Sequence, residues 1–545
     1  MDGRFFSTGQ PHGSIFSGYG GVNSLLNTDV YSSYTPSFLQ TFKSMKYCTG
    51  SFLLLRLGMA LPDQLTFEGD TMKSIMLAMG RLLLAVTISA PVFAADDGDQ
   101  DFGMLRDHFL RQHSMQLFGI KGPVRASSTR SVDAATAEAD ALSLVTVARS
   151  LRARVVSSKA NLGANIDMMT LWPNANPTHL IVCNEQGAAQ PGVQRVRLSD
   201  GLVETILTGT VSCDPAHATP WGTVVVGEEV GNSGSLLEII DPLHTTGVMY
   251  DRTTGTLSGA DAANVALRLA VGHLSFEGIA IYPNGVLYYG DESRPSQGTA
   301  GGAYFKFVPS NPWNGMAPIV ALNQSPLAAG SVYGLRLGKN GGGTDYGQGN
   351  NTGLGTWVLV QNAYGANLRA VAASLKLSGY YRPEDAEIDG KALAEGKVRF
   401  CANNTGNEEA DKNWGETICV TDGSLVEATS NTAAPEVQLF VTGTSDFAMM
   451  DNIAYQPGRG NWIIHEDGDA PGFAVNPHNN DIWACLEDGA DADTLSDGCI
   501  RIATLNDLNA ESTGGFFDAE GKRFFFSVQH NVTGHGTIVE VTGWR

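Results

Sequence analysis

Along most of the chain, apolar residues fall in short runs broken by the same kind of turn. The clearest case is Gly278-Ile279-Ala280-Ile281-Tyr282, a break at Pro283-Asn284-Gly285, then Val286-Leu287-Tyr288-Tyr289 ending in Gly290-Asp291-Glu292. A further apolar segment follows at 303–307. Asp451-Asn452-Ile453-Ala454-Tyr455 repeats the arrangement through Gln456-Pro457 into Trp462-Ile463-Ile464-His465-Glu466-Asp467. So does Gly515-Phe516-Phe517-Asp518, through 524–528, into Gln529-His530. Weaker copies begin near Thr178, Thr219, Gly353 and Arg382. β-Branched and aromatic residues between Pro/Asn/Gly turns specify strands. Recurrence every roughly 40–80 residues specifies stacked units of one kind. The expected fold is all-β, a propeller of about six blades over residues 171–545. A two-sheet sandwich explains the repeated turn less well. Residues 96–170 read as a short, partly helical lead-in that packs on the propeller.

The high glycine content, 64 of 545 residues, agrees with many tight turns rather than long helices. One segment departs from this pattern. Lys73 and Arg81 flank an apolar stretch that continues as Leu82-Leu83-Leu84-Ala85-Val86-Thr87-Ile88 and closes at Pro91-Val92-Phe93-Ala94. Small residues at −3 and −1 and acidic residues from Asp96 give residues 72–95 the layout of a Sec-type signal peptide. The apolar run is short for a membrane span. Residues 1–71 show no periodicity and are read as an over-extended reading frame. The protein is expected to be exported to the periplasm or the extracellular space, free of the membrane after cleavage, and monomeric.

Charge narrows the partners. The formal net charge is −21, and no basic patch suits nucleic acid or an anionic membrane. An anionic substrate is repelled at long range unless bound cations reverse the local sign. Six cysteines follow the signal-like segment, and in an oxidising compartment they invite pairing. Cys401 with Cys419 and Cys485 with Cys499 bracket hairpin-like segments. Cys183 lies in an apolar run and reads as core. Cys213 stands in a polar, proline-containing stretch and is not assigned to packing, although a disulfide to Cys183 remains open.

In a propeller the ends of corresponding strands converge on the axis, so acidic strand ends far apart in sequence can form one site. Carboxylates gathered there repel one another unless protonated or bound to cations. Oxygen donors favour calcium or a similar ion, and a thiolate adds a place for a softer transition metal.

The segment Cys213-Asp214-Pro215-Ala216-His217-Ala218-Thr219-Pro220-Trp221-Gly222-Thr223, followed by Glu228-Glu229, resembles the PhoX-type alkaline phosphatases. Matches follow in order at Glu277-Gly278, Gly290-Asp291-Glu292, Arg382-Pro383-Glu384-Asp385, Asp451-Asn452, Glu511-Ser512-Thr513-Gly514 and Gln529-His530. The resemblance implies a six-bladed propeller with an iron and calcium cluster in its channel, acting on phosphate monoesters. Carried over, Cys213 is a thiolate ligand to iron, and Glu228, Glu229, Glu277, Asp291, Glu384, Asp451 and Glu511 are the carboxylate candidates. Arg382 grips the substrate phosphate, and Glu277 and His530 are further catalytic candidates. Departures are Gly227 where a Cys is usual, Phe276 where a His is common, Asn531 in place of Pro, and no twin-arginine signal.

Each residue also has a plainer reading. Glu228-Glu229 fits a solvated strand end, Arg382 a surface ion pair, His530 a strand terminus, and Trp221 packing. The competing functions are another calcium-dependent propeller hydrolase (a phosphodiesterase, phytase or lactonase) and a non-catalytic propeller holding structural calcium. A phosphate substrate needs Arg382 and a lactone does not. A calcium-only site has no use for Cys213.

Overall fold

The computed structural model describes residues 102–294, 301–338, 350–406, 414–468, 476–489 and 492–545. The signal-like segment and everything before it lie outside the described residues. Among the described residues no helix is long and apolar enough to cross a membrane.

Six blades, each built on four antiparallel strands, surround a channel; the first is extended by Val248–Asp251, which pairs parallel to Val203–Thr208. Their innermost strands are Ile166–Trp172, Cys213–Ala218, Phe276–Ile281, Pro383–Ile388, Met450–Tyr455 and Glu511–Phe517. Each packs on the next, and the sixth packs on the first, so the ring closes. The sixth blade takes its outer strand, Arg152–Ser157, from the N-terminal side of the first blade, paired with Thr537–Thr542. Sharing one blade between both ends of the circle leaves no open seam in the ring. The propeller therefore starts before residue 171. Gly353–Leu359 begins no blade; it extends the third and pairs with Glu436–Thr442 of the fourth.

Packing follows the same six-fold logic. Buried apolar side chains segregate into clusters between neighbouring blades, such as Ala280, Tyr288, Leu335, Phe400 and Val420 between the third and fourth. The lead-in adds Leu110, Phe118, Ile120 and Leu144 to the layer between the fifth and sixth blades, through helix Phe102–Gln112 and the segments after it. Cys401–Cys419 and Cys485–Cys499 are disulfides between directly opposed residues of adjacent strands. Cys183–Cys213 is a disulfide that staples the first blade to the second.

The Thr219–Thr223 turn serves the core. Its Trp221 indole donates to Glu238 Oε1 at 2.7 Å, and Thr223 Oγ1 donates to the same oxygen at 2.5 Å. Arg268 and Ser325 hold Oε2. Glu238 is fully buried, so its loss strands a buried guanidinium and several donors. Glu238→Ala should cost about 3–5 kcal/mol, the range for breaking one side of a buried pair. An unfolding free energy, from denaturant titration, within about 1 kcal/mol of wild type would remove the hub from the stability argument.

Candidate metal centre and active site

All six innermost strands carry the same irregularity. Against its neighbour, each holds one extra residue: between Ile166 and Met169, Cys213 and Ala216, Phe276 and Ile279, Pro383 and Ala386, Met450 and Ile453, and Thr513 and Phe516. A bulge of this kind re-aims a side chain that regular pleating would turn elsewhere. In five blades the second residue of that strand, inside the bulge, is acidic: Asp167, Asp214, Glu277, Glu384 and Asp451. In the sixth the bulge falls two residues later in the strand and opens on Gly514, with φ +63°, where a Cβ would lie 2.3 Å from the Asp167 carbonyl oxygen. Glu511, at the start of that strand, supplies the sixth carboxylate.

A second tier comes from the residue just past each second strand: Glu185, Glu229, Glu292, Thr405, Asp467 and His530. The residue before each of these points the other way, because strand side chains alternate. Asn184, Glu228, Asp291, Asn404 and Glu466 are accordingly buried struts; Gln529 is the exception, its amide donating to Asp167, Glu185 and Glu511, and none of the six is more than 1% exposed. Four of them accept a backbone N–H from the turn that enters their own innermost strand, namely Asn165, Val211, Ser275 and Ala448.

The two tiers enclose a cavity of about 500 Å³. Nine carboxylates line it: Asp167, Glu185, Asp214, Glu229, Glu277, Glu384, Asp451, Asp467 and Glu511. Arg382, His530, Asn480 and Asn509 complete the polar wall. Burial, reinforced by neighbouring carboxylates, pushes Asp167, Asp214, Glu277, Asp451 and Glu511 well above the carboxylate range. Glu229 is pushed to about 10, by burial first and by Glu185 next. Glu384 is raised to about 7 by burial, against the pull of Arg382. Three sets of ligand atoms lie within 4.8 Å of one another: Asp167/Glu185/Asp214, Asp214/Glu229/Glu277 and Asp451/Asp467/Glu511. Protonated, these groups are ordinary acids; deprotonated, they require cations.

Arg382 sits among Glu292 (Nε to Oε1, 2.9 Å), Glu384 (3.2 Å) and Asp467 (3.5 Å). Burial opposes its charge, but Glu384, Asp467 and Glu292 outweigh that and hold it protonated. Its φ of +58° is a left-handed conformation, unfavourable for a non-glycine residue and often found where function fixes the backbone. Glu292 is itself placed by Arg369, which forms a two-pronged pair with Asp291 and donates to the Glu292 carbonyl. His530 is half-exposed at the rim, with Nε2 3.9 Å from Glu511 Oε2.

Of the residues singled out from the sequence, Glu229, Glu277, Arg382, Glu384, Asp451, Glu511 and His530 meet in the cavity. Three do not. Cys213 is not a free thiolate: it is fully buried in the layer between the first and second blades and bonded to Cys183. Glu228 is turned inward, where Arg252 and the N–H groups of Val211 and Ser235 hold it. Asp291 is likewise a strut, paired with Arg369. Missed were Asp167, Glu185, Asp214, Asp467 and Glu292. The signal that finds them is position within the blade: second residue of the innermost strand, or first residue past the second strand.

Comparison with known proteins agrees with this geometry. The solved structure of Pseudomonas fluorescens PhoX in complex with vanadate, a transition state analogue, aligns with a TM-score of 0.54 at 16% identity, covering 77% of this chain and 98% of that one. At a TM-score of 0.37 lie the PQQ-bound aldose sugar dehydrogenase from Streptomyces coelicolor (14% identity, 73% and 99% covered) and the gluconolactonase XC5397 from Xanthomonas campestris (13%, 77% and 96%). A search of curated protein sequences gives no match. Residues 184–531, most of the propeller and most of its acidic ring, match the sequence profile of the family described as alkaline phosphatase PhoX. On that match, and on a propeller whose channel gathers the same ordered motifs, this chain belongs to the PhoX alkaline phosphatase family and is a phosphatase-type hydrolase.

Proposed function

We propose that the protein is an exported, metal-dependent phosphatase that hydrolyses phosphate monoesters in the propeller channel. The observation that carries this reading is the composition of the cavity wall: nine carboxylates and one guanidinium. Without cations that wall repels a phosphate. With cations on the carboxylates, Arg382 is left to face the substrate as a planar fork matched to two non-bridging oxygens. The oxygen-rich donor set fits calcium and other hard cations. When bound, such ions polarise the phosphoryl oxygens and make coordinated water a nucleophile near neutrality.

The chain's own residues divide the remaining work. Glu277, Asp451 and Glu511 hold the cations, with Glu229 and Glu384 completing the ring. Glu292 and Asp467 orient Arg382, keeping its charge and direction without blocking the cavity. His530, on the open side, is placed to donate a proton to the departing alkoxide. The three disulfides support an oxidising compartment.

The test is turnover of p-nitrophenyl phosphate by the full protein, with bis-p-nitrophenyl phosphate alongside. Hydrolysis of the monoester should fall by at least about 100-fold after exhaustive chelation and return on adding calcium. Turnover that survives chelation, or a strong preference for the diester, would overturn the proposal.

A further inference from the structure

We infer that the metal centre of this protein is free of sulfur ligands, and that Asp214 bridges two neighbouring cation positions. The inference rests on the metal-dependent reading above and deepens it by assigning ligands. Cys213 and Asp214 are adjacent in one strand, so their side chains face opposite sides. Cys213 turns into the inter-blade core and is bonded to Cys183. Asp214 turns into the cavity. The bulge between Cys213 and Ala216 fixes that choice of face.

Asp214 is the member shared by two of the ligand sets, Asp167/Glu185/Asp214 and Asp214/Glu229/Glu277. It is 3% exposed, and its Oδ1 is buried without a hydrogen-bond partner; so is Oδ1 of Asp167, itself 5% exposed. A buried carboxylate oxygen with no donor is costly. Two such oxygens aimed into one cavity mark where cations belong. No other sulfur takes the place of Cys213. At Gly227, a Cβ would lie 2.6 Å from Pro215 Cγ and 2.8 Å from Phe276 Cβ, so no side chain fits there. The cavity wall contains no cysteine or methionine among its described residues. Any iron in the centre must therefore be held by oxygen and nitrogen donors, chiefly the carboxylates, and calcium needs nothing further.

Calcium binding reads this independently of turnover. The full protein, stripped of metal, is titrated with calcium alone, and the retained metal is counted by elemental analysis. Asp214→Asn keeps the shape and removes the charge. It should weaken calcium binding by about 100-fold or more, since calcium affinity follows ligand charge, and should release two ions where a non-bridging ligand releases one. The double variant Cys183→Ala/Cys213→Ala should retain wild-type metal content. Peptide mapping of the metal-loaded wild type should recover the Cys183–Cys213 bridge intact, which keeps the inference testable even if the double variant does not fold. Unchanged calcium binding by Asp214→Asn, or a free Cys213 thiol in the loaded protein, overturns it. Calcium binding that follows these expectations without phosphatase turnover would sink the functional reading and leave this one standing.

Discussion

Arg382→Ala is expected to lower kcat/KM for a phosphate monoester by about 100- to 1000-fold, with most of the loss in KM. Two charge-assisted hydrogen bonds to a phosphate are worth roughly 3–4 kcal/mol together, which is that factor. The loss is compounded because Glu292, Glu384 and Asp467 then face the cavity without their cation. Metal content should be unchanged, since removing a positive charge cannot weaken cation binding. Arg382→Lys should recover little, because an ammonium does not reproduce the planar fork. Arg382→Gly separates chemistry from folding. At φ +58° glycine relieves backbone strain of about 1 kcal/mol, so it should melt above Arg382→Ala while remaining as inactive. An unchanged KM in Arg382→Ala would return Arg382 to the role of a buried ion-pair partner.

Much of this was legible in the sequence, and the failures have one physical origin. Repeated strand–turn–strand units define a propeller because identical units can bury their faces only against one another. The family resemblance then located the acidic strand ends. What the motifs obscured was phase. Glu228-Glu229 reads as a pair, yet in a strand only one of two adjacent side chains can face the axis; Glu229 does, and Glu228 braces the strand's neighbour turn. The same holds for Asp291-Glu292 and for Cys213-Asp214. Asp291 and Cys213, the members of their pairs read as ligands, are the ones turned away, whereas of Glu228 and Glu229, both read as ligands, Glu229 reaches the cavity. Asp167 escaped because its blade begins inside the presumed lead-in, five residues before the propeller was expected to start. Counting bulges rather than turns would have set the register, since five of the six bulges hold an acid. The Cys183–Cys213 bridge joins two blades through space, so spacing along the chain gave no preference for it.

The metal-stripped protein should lose stability as pH rises from 6.5 to 9, and calcium should reverse that loss. Folded-state values are raised for Glu384 and Asp385 (about 7), Glu387 (about 8) and Glu229 (about 10), with burial the leading cause in each. In this window the unfolded chain has already released these protons, whereas the folded chain still holds them. The native state binds more protons, so unfolding free energy falls with pH, by up to about 1.4 kcal/mol per pH unit for each group still protonated. His217 and His465, buried and held neutral down to about 4, act in the opposite sense only below 6.5 and leave the window clear. Calcium exchanges for the ring's protons, so its stabilisation must grow with pH, whereas Asp385 and Glu387, which do not line the carboxylate cavity, lose their protons with or without it. At a thousandfold excess over Kd one bound ion contributes about 4 kcal/mol, and two or three place the loaded protein roughly 10–20 °C above the stripped one. Thermal melts at pH 6.5 and 9, with calcium and with chelator, should therefore diverge, the gap being widest at pH 9. A gap that stays constant across the window would mean that the carboxylates are neutralised by something other than protons or cations, and the ring could not be a metal centre.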